Sequence, residues 1–473
     1  MTAKYLLAAA STLVIAIAAQ AQSPQQTPAV PARAQSTAAA PALAGGDLNP
    51  QGSRDPVYRT DGDLSRASVA DGFTFAAGGD LLGPENPLTQ LGNPDVDRMV
   101  KLFRDADVGF ANHEGSGFDL PGPPGTTKAA QNGGGYPRIT AELDRDFRAM
   151  GIKMVSLANN HAGDWGPGGL LATLATLRAV GIVEAGAGAS LSEARRAGVV
   201  YTPRGTVGLV ATASTFNPAT VAADAIGALP PRPGIGVLHV RPEVDLSDQQ
   251  MVLMRRLGNA SWQPGSGVRD QANAITVGGV TFRPGSSNKI TYIVDESDRK
   301  AILASITEAK RANDMVVFSI HAHEVATSGS TASVADFLPP LFHQAIDAGA
   351  DIVVRAGPHI MGGVEIYKGK PIFYGLSSLF FDIGGASRSF NGHAMGGAFN
   401  DAAVAVTTFK GGRPDVVRIY PITTILDNRA AFGGSKIATG ADAKRILQAV
   451  QRESEPFGTQ IKIEDDIGII RIQ

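Results

Sequence analysis

No cysteine occurs among the 473 residues of this chain. That absence excludes disulfides, thiolate metal sites and cysteine nucleophiles, so any bound metal must be held by nitrogen and oxygen. The chain also has no excess of one charge: 42 Lys and Arg against 44 Asp and Glu leave a formal net charge of −2. Without a global basic field, nucleic acid is not an expected partner, and small molecules or carbohydrate and peptide polymers remain. No phosphate-cradling P-loop and no internal repeat is found. Beyond the N-terminus no apolar run approaches the ~20 residues of a membrane-spanning helix.

The N-terminus carries Lys4, an apolar stretch from Leu6 to Ala19, and Ala19-Gln20-Ala21 as a small-x-small cleavage site. This reads as a secretory signal over 1–21, with a periplasmic mature protein; the alternative is an uncleaved N-terminal anchor. Residues 22–70 are dominated at first by Ala, Pro, Gln and Ser, too poor in bulky apolar side chains to offset the entropy of ordering, and are expected to be a disordered tether. From Phe73 short Val/Ile/Phe/Ala runs alternate with helical periodicity, as at Val96–Phe103, Leu143–Met150 and Leu170–Val180. That rhythm predicts α/β layers over 71–425. Between about 217 and 288 it loosens into Pro, Gly and Asn with one helical patch near Gln249–Leu257, predicting a loop-rich insertion beside a site. A helix over Asp442–Glu453 and a strand near Ile467–Ile472 are expected in a C-terminal segment, 426–473, that packs on the domain.

Five strand-like runs end in ligand-type residues. Asp80 follows Phe73–Gly79; Asn112, His113 and Glu114 follow Val108-Gly109-Phe110; Asn159, Asn160 and His161 follow Met154–Ala158; His321 and His323 follow Val316–Ile320; His359 follows Asp351–Val354. In α/β folds ligands gather outside the carboxyl ends of parallel strands, so this recurrence marks a candidate site. Carboxylates offset a cation's charge, imidazoles are neutral donors and amide oxygens complete a shell. Asp80, Glu114, Asn160, His321 and His359 form such a set, with Glu114 able to bridge two ions. His321 and His323, two apart, share one side of an extended backbone and can share a metal. His161 is then free for general acid or base work, with Asp164 orienting its ring. Gly78-Gly79 is expected to permit a tight turn before Asp80.

Each residue also has a plainer reading. A lone Asp after a strand is more often a cap or turn residue, and Asn159-Asn160 can be a turn pair; the joint occurrence is what favours a site. His343 and His393 fall outside the pattern and read as ordinary surface or helix histidines. His239 lies in the insertion, and His113 should point away from Glu114.

The same phrases carry a resemblance. Gly79-Asp80, Asn112-His113-Glu114, Asn159-Asn160-His161-Ala162-Gly163-Asp164-Trp165-Gly166, Ser319–Glu324, and Gly357-Pro358-His359 leading to Gly363–Tyr374 occur in the order of the CapA family. These are poly-γ-glutamate capsule synthesis proteins, similar to calcineurin-like metallophosphoesterases. The resemblance implies a four-layer α/β/β/α sandwich with one or two divalent ions (Mn, Zn, Fe or Ca) at the strand ends. Asp80, Glu114, Asn160, His321 and His359 would be ligands and His161 would lie beside the reacting group. The chain departs from the pattern at Leu82 and at Arg355-Ala356, where imidazoles are expected, and at Gly375–Leu379, which lacks an amide. His323 is the candidate substitute for a missing imidazole, and Arg355 would hold an anionic group of the substrate.

The resemblance implies a metal-dependent hydrolase outside the cytoplasm, acting on an acidic polymer or small anionic phosphoester in capsule or exopolymer metabolism. A second reading is a non-catalytic polymer-binding or assembly component beside membrane-bound synthesis and export proteins. A third is metal-assisted proton transfer on a peptide, such as epimerisation.

Overall fold

The computed structural model describes residues 68–83, 88, 91–128, 136–260, 267–285, 289–326, 334–381, 389–390, 393–394, 400–424 and 434–472. The expected signal (1–21), the tether up to residue 67 and the His393 side chain lie outside the described residues.

Two sheets face each other. The first contains β1 (Thr74–Leu82), β2 (Val108–His113), β3 (Ile152–Ser156) and β4 (Val183–Ala185), all parallel. The second contains β5 (Gly198–Thr202), β6 (Gly205–Ala213), β7 (Met315–His321), β8 (Ile352–Ala356), β9 (Val364–Tyr367) and β10 (Lys370–Phe373). Its order is β9-β10-β8-β7-β6-β5, parallel from β10 to β6, with antiparallel edges. The later strands β11 (Ser378–Phe381), β12 (Asp401–Lys410), β13 (Arg413–Thr424), β14 (Ser435–Ile437), β15 (Lys462–Glu464) and β16 (Ile467–Arg471) return to the first sheet. That sheet reads β15-β16-β13-β12-β1-β2-β3-β4, with β11 also pairing β1 and β14 pairing β13.

Period-two alternation decides which layer each residue joins. Phe75, Ala77, Val108 and Phe110 of the first sheet and Met315, Val317, Ile352 and Val354 of the second bury their side chains between the sheets. The opposite residues, such as Ala76 and Ala111, pack beneath α1 (Pro94–Arg104), α2 (Ala141–Ala149) and α3 (Gly166–Val180). The helix α4 (Asp248–Ala260) belongs to the insertion, while α5 (Glu296–Ala312) and α6 (Leu338–Asp347) cover Val316, Phe318, Ile320 and Val353 on the far face. The layers are therefore α/β/β/α. A last helix, α7 (Gly440–Ser454), buries Ile446, Leu447 and Val450 in the inter-sheet core.

The helices start where their sequences say they should. Asn93, Thr140 and Asp295 accept hydrogen bonds from the first turns of α1, α2 and α5. This satisfies amides that no helical carbonyl can reach. Gly181 closes α3 with φ 79°, a left-handed cap.

Two expectations are corrected. The segment expected to be loop-rich holds a five-stranded sheet between its loops, with Val240–Leu246 flanked by Val280–Pro284 and Ile290–Val294 and with α4 against it. Its strands are only partly buried and alternate weakly, so the hydrophobic period that marks the main strands is faint there. Gly78-Gly79 makes a bulge inside β1 and not a turn: the register with β2 shifts between Ala77 and Asp80, and the strand runs on to Leu82. A Cβ on Gly79 would lie 1.8 Å from the Ser377 carbonyl oxygen, so glycine is required for that approach.

Candidate metal centre

The alternation that builds the core also aims the site. On β2, Asn112 follows the parity of Val108 and Phe110, so Asn112 and the succeeding Glu114 face between the sheets while His113 faces the outer helices. His113 accordingly meets Asp144 of α2, Nε2 to Oδ1 at 3.0 Å, both fully buried. On β7, His321 shares the inward parity of Met315 and Val317. The bulge in β1 presents Asp80 to the same space.

Two donor groups result, one of Asp80, Glu114 and His359 and one of Glu114, His321 and His323, each with ligand atoms within 4.8 Å of one another. Glu114 belongs to both. Its Oε1 is 3.7 Å from His321 Nε2 and 3.8 Å from His359 Nε2. His321 Nε2 and His323 Nε2 are 3.0 Å apart, so both imidazoles could serve one ion. His359 Nδ1 bonds Ser378 Oγ at 3.0 Å and lies 3.1 Å from Asp80 Oδ2. With Nδ1 so engaged, Nε2 is directed to the Glu114 side.

A cation would satisfy atoms that the protein leaves unpaired. Asp80 Oδ2, both Glu114 carboxylate oxygens, Asn112 Oδ1 and Asn160 Oδ1 are buried without a hydrogen-bond partner. Buried carboxylate oxygens are costly unless paired. Burial, and then the neighbouring Asp80, pushes the Glu114 carboxyl well above its ordinary range. Burial, followed by the neighbouring imidazoles, pulls His321 well below its usual value, and His323 likewise. Neutral imidazoles are the metal-binding form. The nitrogen and oxygen donor set therefore fits one or two divalent ions.

Beside these donors, His161 Nδ1 and Asp164 Oδ2 form a hydrogen bond of 2.7 Å, with Asp164 buried and His161 partly open. Their loop is braced by Asn159, whose Nδ2 donates to the His113 carbonyl and whose Oδ1 accepts from the His161 amide. Left-handed backbone at His359 (φ 51°) and Ser377 (φ 61°), rare for residues with a Cβ, flanks the centre. Gly357 has φ 113°, a conformation that favours glycine, and a Cβ there would lie a tight 3.1 Å from the His323 ring.

Arg355, expected to hold an anionic group of the substrate, is engaged with the protein's own backbone. Its parity on β8 is that of Val353, outward, and it is 2% exposed. Nε donates to the Ala322 carbonyl and Nη2 to the Glu324 carbonyl, 2.9 Å each. Burial lowers the guanidinium pKa to about 10. Arg355 thus pins the segment that carries His323. Thr215 Oγ1 holds the same segment through the His323 amide, and Tyr292 of the insertion does so through the Val325 carbonyl.

Asn112 stands outside the expected donor set, although its spacing two before Glu114 gives it the same facing. Its Nδ2 donates to Asp80 Oδ1 at 2.8 Å and lies 3.2 Å from His321 Nδ1. Ser378, partner of His359, stands in the Gly375–Leu379 stretch that lacks the family's amide. His239 is an exposed partner of Asp298, and His343 stacks on Tyr367 and bonds Glu365.

Fold and site together describe a two-sheet α/β sandwich with a nitrogen and oxygen metal-type cluster at its strand ends. The chain belongs to the bacterial capsule synthesis protein PGA_cap family, whose profile matches residues 74–383. It is similar to the uncharacterized protein y4sH of Sinorhizobium fredii, 34% identical over 86% of this chain and 94% of that one. A probable polyglutamine synthesis accessory protein of Mycobacterium tuberculosis, Rv0574c, is 25% identical over 67% of this chain and 66% of its own length. The PGA biosynthesis protein CapA of Bacillus subtilis is 31% identical over 24% and 30%.

Proposed function

We propose that this protein is a divalent-metal-dependent hydrolase working outside the cytoplasm in capsule or exopolymer metabolism, on an acidic peptide polymer or a phosphoester. The observation that carries this reading is the set of buried, unpartnered oxygens converging with His321, His323 and His359 around a shared Glu114. When bound, one or two ions would lower the pKa of water and offset charge developing on a phosphoryl or carbonyl oxygen. Asp80 and Glu114, with Asn160, supply the oxygens for that purpose, and the three imidazoles the nitrogens. His161 takes or gives the proton at Nε2, because Asp164 occupies Nδ1 and holds the ring in one orientation. The walls of the sandwich exclude bulk water, so each charge acts in a medium of low dielectric.

The family relation and the relatives named for polymer synthesis support a glutamate polymer as the substrate class. The signal-like residues 1–21 support export. A second reading, a polymer-binding component of a membrane-bound synthesis and export assembly, draws on Leu82 and Ala356 standing where imidazoles were expected. The position of His323 weighs against it, since its ring lies against Gly357, next to Ala356.

The deciding experiment incubates metal-loaded protein with γ-linked oligoglutamate and, separately, a phosphodiester, alongside His161→Ala and His359→Ala. Hydrolysis that vanishes in both variants, with metal retained by His161→Ala and lost by His359→Ala, supports the enzyme. Stoichiometric metal with no turnover of either substrate leaves the binding component as the better account.

A further inference from the structure

The metal centre accounts for a scissile linkage but not for the charges on either side of it. An acidic polymer brings further carboxylates, and Arg355, the cation expected to meet one, is spent on backbone carbonyls. Lys128 is exposed on the loop that follows Glu114, beside the loop that follows His161. Its Nζ sits 4.8 Å from the centre of the Tyr136 ring and 5.8 Å from that of Trp165. The two rings meet edge to face at 5.7 Å, and Phe118 backs Trp165 at 5.8 Å.

Trp165 directly follows Asp164, the partner of His161, and its carbonyl accepts from the Thr127 amide at 3.1 Å. The loop that bears Lys128 is thereby fastened to the loop that bears the His161–Asp164 pair. Close contact is possible because Gly168 has no side chain: a Cβ there would lie 2.3 Å from the Gly125 carbonyl carbon. Among the described residues no carboxylate pairs with Lys128, and the sequence from Ala129 to Gly135 contains none. The Trp165 indole Nε1 is buried without an acceptor. The start of α3, just beyond Trp165, has no acidic residue in its first turn and no side-chain cap, which adds partial positive charge at the same place.

We infer that Lys128, held over Tyr136 and Trp165, is a subsite for a carboxylate of an acidic polymer, one that neighbours the linkage presented to the metal centre. This rests on the proposed function and names its recognition element. Two aromatic faces restrain the ammonium without neutralising it, so its N–H groups stay free to donate and less side-chain entropy is lost on binding. An amide or alcohol in place of the carboxylate would forfeit the charge-assisted bond.

The chain has two tryptophans, so Trp262→Phe leaves Trp165 as the only indole reporter. Metal-loaded Trp262→Phe, carrying His161→Ala to stop turnover, is titrated at low ionic strength with a γ-linked glutamate pentamer and with its uncharged amide analogue. The expected result is a saturable change in Trp165 emission with the pentamer, about tenfold weaker binding in Lys128→Met, and no saturation with the amide. Equal affinity with and without Lys128, equal affinity for the amide, or no binding of the pentamer each overturns the subsite. Turnover in the His161-containing protein is read separately. Hydrolysis that is indifferent to Lys128→Met sinks the subsite alone, and Lys128-dependent binding without hydrolysis sinks the hydrolase alone.

Discussion

The first half of the chain brings oxygen to the centre, through Asp80 and Glu114, while the second half brings nitrogen, through His321, His323 and His359. Each set stands at the ends of its own sheet. Among the described residues Glu114 is the one carboxylate placed within reach of both, and Asn112 links the sets by lying between Asp80 and His321. Neither sheet alone assembles a complete donor set, so the site reports on the packing between them. The stacked Phe75 and Phe110, 6.1 Å apart between the layers, belong to the same strands as Asp80 and Asn112. Core and site are thus consecutive stretches of one alternation.

Replacing the shared group should break this division most severely. Glu114→Gln is expected to weaken metal binding at both donor groups by at least about 100-fold, the upper end of what losing a supporting partner costs. Elemental analysis after dialysis would show it. Asp80→Asn and His323→Ala, by contrast, should each remove one equivalent and spare the other. If Glu114→Gln also spares one, the two halves hold their ions independently. Next in size, His161→Ala should slow turnover by about 10²- to 10⁴-fold with metal content unchanged, and Asp164→Asn by less.

Arg355 tests whether the second half also binds substrate. Arg355→Met leaves the Ala322 and Glu324 carbonyls without their donor, costing about 1–3 kcal/mol for each one left buried. Urea unfolding should detect that loss, with a fall in metal occupancy at His323. An unchanged unfolding midpoint with a raised KM would restore Arg355 as a substrate anchor.

Most principal elements and the α/β rhythm were legible because long periodic runs are dictated by burial on known faces, whereas the four-layer order was implied by the family resemblance. The helix expected at Leu170–Val180 occupies Gly166–Val180. The donor residues were legible because they interrupt apolar strands. What the sequence hid was direction. Arg355 was expected to hold an anionic group, yet its parity with Val353 sends it to the helical face, and counting along β8 shows so. The insertion's sheet was hidden for a different reason: its strands are short, half-exposed and held by pairing with one another more than by a buried face.

The smallest expected effect separates the two halves by the sign of their pH dependence in metal-free protein. Burial raises the Glu114 carboxyl above the ordinary glutamate value of 4.5, so the folded state holds that proton more tightly than the unfolded chain does. This contribution to stability is present below the ordinary glutamate value and is lost as pH rises through the folded value. His321 and His323 are depressed below 6.5, so their contribution is present above that value and is lost as pH falls towards the folded values. Denaturation midpoints taken with a chelator between about pH 4.5 and 8 should therefore lose their decline on the alkaline side in Glu114→Gln. They should lose their decline on the acid side in a variant with Ala at both His321 and His323. Metal should flatten both, because it engages the carboxylate and the neutral imidazoles together. If both variants alter the same limb, the oxygen and nitrogen sets titrate as one buried cluster, and the division between the two halves is one of chain position only.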